Sequence, residues 1–236
     1  MIYLSLFLSV IISGITVLFL TISSKNLKLI LAFSGAFLFA ISVLHLIPEI
    51  YASGNKSIGF YILIGFFLQI LLEFFSEGIE HGHIHIHKHA EHAFPFTMMV
   101  GLSIHSFLEG MPLAENFIHG TTTFKNPLLI GIILHNIPIA IALMSMLLQS
   151  HTKKSTAIFL LVFFASMTPL GTFFSNILGE NILNMSIYIE SIMGIVIGIF
   201  LHISTTILFE SSENHRFNLF KFITIILGAI VAVITT

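Results

Sequence analysis

Apolar stretches of about twenty residues follow one another along almost the whole chain, each closed by a short polar break. A helix rising 1.5 Å per residue needs about twenty such residues to cross ~30 Å of hydrocarbon. The pattern predicts eight transmembrane helices, at residues 2–22, 28–50, 57–76, 97–119, 126–149, 155–178, 186–209 and 217–234. The breaks are Ser23-Ser24-Lys25-Asn26, Ser53-Gly54-Asn55-Lys56, Thr121-Thr122-Thr123, His151-Thr152-Lys153-Lys154, Glu180-Asn181 and Ser211-Ser212-Glu213-Asn214. One interval, residues 77–96, is longer and rich in His. None of the connections can hold a second domain, so residues 1–236 read as a single all-α bundle. The first stretch is apolar from Ile2 to Leu20 with no Lys or Arg ahead of it, which predicts a retained helix rather than a secretory signal.

Composition agrees. Hydrophobic residues make up 56% of the chain and charged ones 8%, too few to solvate a soluble protein of this size. There is no Cys, which removes disulfides and thiolate metal sites together. Any metal must then be held by His, Glu, Asn, Ser or water. A net charge of −2 excludes a strongly basic nucleic-acid binder. Lys25, Lys28, Lys88, Lys153, Lys154, Arg216 and Lys221 fall on one side of the alternating loops and only Lys56 and Lys125 on the other. That bias predicts both termini outside and the His-rich loop in the cytoplasm.

Ionisable groups at membrane depth cost on the order of 3 kcal/mol and survive by facing a polar interior. In the fourth helix His105 and Glu109 stand four apart, on one face, with Ser106 beside them and Pro112 beyond. The fifth carries His135-Asn136-Ile137-Pro138, so that Leu134-His135-Asn136 echoes Ile104-His105-Ser106. His105 lies ~12 Å from one membrane edge and His135 ~14 Å from the other, so both fall near mid-membrane. Pro112 and Pro138 are expected to bend their helices and free carbonyls. Imidazoles with a carboxylate suit Zn²⁺ and its neighbours better than Mg²⁺ or Ca²⁺. A lone membrane His serves as readily to bond a neighbouring helix. Two His, a Glu and an Asn at one depth favour a site.

Elsewhere the signals are weaker. His45 and Glu49 repeat the four-residue spacing near the outer end of the second helix, where an entrance and an ordinary solvated helix end both fit. His202, nearer the cytoplasm, fits an exit ligand or a packing contact. The tract from His81 to His92 holds six His in twelve residues, a composition that binds transition metals weakly and flexibly. Gly194 and Gly198 have the small-xxx-small spacing that lets two helices approach closely.

Through its HLIPE, HSFLEG and HNIP segments, in that order and with the His-rich loop after the third helix, the chain resembles the ZIP (Zrt-/Irt-like) family of metal transporters. The resemblance implies a bundle whose fourth and fifth helices line an ion path, uptake into the cytoplasm, and a homodimer. By position it makes His105, Glu109, His135 and Asn136 central ligands and places His45 and Glu49 at the outer entrance. Ser106, Ile139 and Thr168 depart from the family pattern, each at a place where many members carry a ligand of a second metal. One transported metal per centre is therefore expected.

These readings together predict a transporter of divalent transition metals, zinc foremost with Fe²⁺, Mn²⁺, Co²⁺ and Cd²⁺ as candidates, embedded in a cell membrane among lipids. The metal is cargo and no catalytic cofactor is implied. A membrane-embedded zinc hydrolase is the alternative, since a His/Glu zinc site also activates water. Against it, the chain has no HExxH. A metal-sensing receptor would need an additional soluble domain, for which the connections leave no room.

Overall fold

Within hydrocarbon a backbone must satisfy its own hydrogen bonds, and among the described residues every regular element does so as a helix. The computed structural model describes residues 1–76, 78–79, 96–114, 125–150, 152–181, 185–210 and 218–235. Eight rods result: α1 (Ile2–Thr16), α2 (Ser24–Tyr51), α3 (Ile58–Ser76), α4 (Phe96–Gly110), α5 (Lys125–Gln149), α6 (Lys154–Asn181), α7 (Met185–Glu210) and α8 (Leu219–Ile234). Of these, α2, α3, α5, α6 and α7 are long and apolar enough to cross a membrane.

Six helices lie within four residues of their expected ends; α1 and α4 do not. The first was expected to reach residue 22, yet α1 stops at Thr16 and the chain turns through Val17–Leu20. Ser13 and Thr16 bond back to the carbonyls of Ser9 and Ile12, which loosens the last turn. Phe19 and Leu20 continue the apolar run on the outer surface, so hydrophobicity there marks lipid exposure rather than helix. The fourth was expected to reach residue 119, yet α4 ends at Gly110 and tightens into a 3₁₀ turn, Met111–Leu113. Pro112 brings no N–H to the ladder, and the α-helix gives way there to the 3₁₀ turn. The orphaned Gly110 carbonyl is taken up by Thr172 Oγ1 of α6 at 2.7 Å. Pro138, by contrast, lies inside an unbroken α5.

The bundle has an apolar core and an apolar outer surface, and a cluster of polar side chains is enclosed within that core. Gln69, His105, Ser106, Glu109, His135, Asn136 and Thr168 are buried, whereas Phe60, Phe67, Phe74, Phe159, Phe173 and Phe220 are exposed. α5 is the most enclosed of the long helices and α3 the least. α1 packs on α5 and α6, α2 on α8, α5 and α7, and α3 on α4 and α7.

Two seams bring backbones together. On α7 a side chain at Gly198 would strike the Ile62 carbonyl of α3, and one at Gly65 of α3 the Ile195 carbonyl. Gly194 faces Tyr61 on the same seam, as its spacing predicted. Gly110 of α4 abuts the Thr168 carbonyl, and Gly171 of α6 the Phe107 carbonyl. The α4–α6 seam holds Thr168 beside the polar interior.

Candidate metal centre

α4 and α5 each bring a buried polar turn to the same level. On α4 the four-residue spacing stacks His105 over Glu109, with Nε2 2.9 Å from Oε1. His135 of α5 puts its Nε2 3.9 Å from the same carboxylate oxygen. One ligand atom from each of the three lies within 4.8 Å of the others, and all three residues are fully buried. The imidazoles stand edge to face, their centroids 6.0 Å apart. Ligand atoms on one tetrahedral zinc, each ~2.1 Å from it, stand ~3.4 Å from each other. The observed spacings bracket that value. It is the one such three-residue cluster among the described residues.

The surroundings are short of partners. Glu109 Oε2, Asn136 Oδ1 and Ser106 Oγ are buried with no hydrogen-bond partner among the described residues. Unmet acceptors in low dielectric are costly, and a cation between them offsets that cost. The Asn136 amide reaches Thr168 Oγ1 at 3.5 Å, the outer limit of a hydrogen bond. That contact links α6 to the centre.

The chain matches the family model for ZIP zinc transporters over residues 80–236, well over half its length. It belongs to the ZIP family. Among curated proteins, protein zntD of Dictyostelium discoideum is 29% identical over 165 residues, covering 64% of this chain and 24% of its own. The chain thus spans about a quarter of that relative's length. ZIP membership and the apolar helices together make this a multi-pass integral membrane protein. Ser106, Ile139 and Thr168 are all buried and all uncharged, leaving Glu109 as the sole carboxylate in the cluster.

The other expected site residues do not join the centre. His45 lies in a π-helical turn of α2, Ser42–Leu46, half-buried, and Glu49 follows one turn later, exposed. The widened turn precedes Pro48, whose ring would collide with the Leu44 carbonyl in a regular helix. His202 on α7 sits 3.5 Å from Glu73 Oε2 of α3, with its ring edge-on to Phe66. The His81–His92 tract lies outside the described residues.

Two residues on α3 escaped the sequence reading. Gln69 is fully buried and meets His105 Nδ1 at 3.2 Å; Glu73, one turn on, meets His202. Their signal was present, because Glu73 is the only charged residue of α3 and Gln69 precedes it by four. Both stand before the stretch that matches the family model.

Proposed function

We propose that the chain carries divalent transition-metal ions, zinc foremost, across a membrane into the cytoplasm. One ion at a time occupies a centre formed by His105, Glu109 and His135, completed by Asn136, Ser106 or water. The observation that carries this reading is the sealed His–Glu–His cluster between two helices of a ZIP-family bundle. Two imidazoles and one carboxylate match zinc's preferred donors. A second divalent ion ~4 Å away would need further carboxylates to offset the mutual repulsion, and Ile139 and Thr168 provide none.

The rest of the path follows the graded placement of ligands. His45 and Glu49 gather cations at the outer mouth, and His202 with Glu73 receives them on the way to the cytoplasm. Both termini then lie outside, all eight helices cross, the loop of residues 77–96 meets cytoplasmic metal, and two copies pair in the membrane.

The test is uptake into proteoliposomes, ion by ion, with metal analysis of the purified chain. We expect zinc to accumulate, and one ion per chain to be lost in Glu109→Gln. Absence of uptake with any divalent ion, or hydrolysis of lipid or peptide in its place, would overturn the proposal.

A further inference from the structure

The geometry points to Gln69 as the positioning residue of the metal centre, fixing the ring of His105 so that Nε2 is the metal-binding nitrogen. This rests on the centre proposed above. A neutral imidazole carries one N–H, and the nitrogen without it is the one that binds metal. Gln69 presents Oε1, an acceptor, to His105 Nδ1 at 3.2 Å. The proton is therefore held on Nδ1, and the Nε2 lone pair points to the place where Glu109 Oε1 lies 2.9 Å away. Nε2 and Oε1 are both acceptors in that arrangement, and a cation between them makes both favourable.

The scaffold holds this contact in register. Gly101, one turn before His105 on α4, seats the α4 backbone against α3: a side chain there would stand 3.0 Å from the Leu72 carbonyl and 3.1 Å from Ser76 N. Gln69 lies one turn before Leu72 on α3, which brings its amide level with His105. Both side chains are fully buried, so bulk water does not compete for the Nδ1 proton. Partners of this kind behind a ligating His typically contribute 10- to 100-fold in metal affinity.

The full-length chain in detergent, titrated with Co²⁺ and back-competed with Zn²⁺, reads this out through the cobalt d–d absorption. A band that is lost in Glu109→Gln reports the centre rather than the His-rich tract. Gln69→Leu, with the near-isosteric Gln69→Met as a second variant, should weaken Co²⁺ binding by about 10- to 100-fold and shift the band. Gln69→Glu, which still accepts from Nδ1–H, should retain or tighten it. Two results would overturn the assignment: affinity unchanged in Leu and Met, or Glu as weak as Leu, which would make Gln69 a donor or a mere packing residue. A wild-type chain with no Glu109-dependent band would instead remove the centre itself, and this inference with it. Thermal unfolding of the apo variants separates loss of fold from loss of positioning.

Discussion

α2 and α4 carry the same device, a His followed four residues later by a Glu, and the structure gives it two fates. On α4 the helix is regular, so His105 and Glu109 stack 2.9 Å apart in a fully buried interior. On α2 His45 lies half-buried within a π turn, and Glu49 is exposed. The lesson is that spacing supplies two ligands at most. A site also needs a third group from another helix, which His135 brings to α4, and enclosure that makes an unmet carboxylate expensive.

If that contrast is right, charge removal should act very differently at the two places. Glu109→Gln leaves a buried cation without its only carboxylate, and retention of zinc should fall on the order of a hundredfold or more, with uptake abolished. The measurement is equilibrium metal binding alongside liposome uptake, with circular dichroism confirming a folded chain. Near-normal uptake would mean that the enclosed pair is not the transport site.

The next largest effect sharpens the centre rather than breaking it. Ile139, fully buried, follows His135 by one turn and so repeats on α5 the spacing that Glu109 has on α4. Ile139→Glu adds a second carboxylate, and should tighten metal retention on the order of tenfold while slowing turnover, because a deeper well is harder to leave. Faster release from this variant would show that the new carboxylate does not face the ion.

At the proposed mouth the expectation is modest. Glu49→Gln should reduce uptake about twofold to fivefold at low metal and low salt, with the deficit closing as ionic strength rises, since an exposed charge acts by attraction that salt screens. Abolition of uptake at every salt concentration would place Glu49 among the obligatory ligands. Smallest of all, deleting residues 81–92 should leave basal uptake measurable and alter only its response to cytoplasmic metal. Complete loss in a well-inserted deletion would make the tract part of the path.

Much of this was legible in the sequence because the membrane simplifies the code. Hydrophobic runs place helices, and equal depth on neighbouring helices brought His105, Glu109 and His135 together before any coordinates. The failures have definite causes. The end of α1 was obscured because lipid-facing turns are as apolar as helices. That of α4 depended on Pro112 ending a ladder that apolar character alone would extend. The contacts of Gln69 and Glu73 lie on helices distant in sequence, 36 residues away for His105, and no local pattern encodes them. The π turn answers to Pro48 in three dimensions, and the regular spacing of His45 and Glu49 conceals it.

The uneven helix lengths carry a consequence for the surrounding lipid. With 15 and 16 residues, α1 and α8 extend only ~22–24 Å, whereas α6, with 28, extends ~42 Å. A bilayer with a ~30 Å hydrocarbon core cannot match both. Where α1 and α8 cross as proposed, it must thin or draw in the apolar residues that follow α1, such as Phe19; beside α6 the helix must tilt or protrude. If all eight helices cross, the annulus of lipid around the protein varies in thickness around its circumference. Acyl-chain length then becomes a variable that sets how comfortably each side of the bundle is solvated.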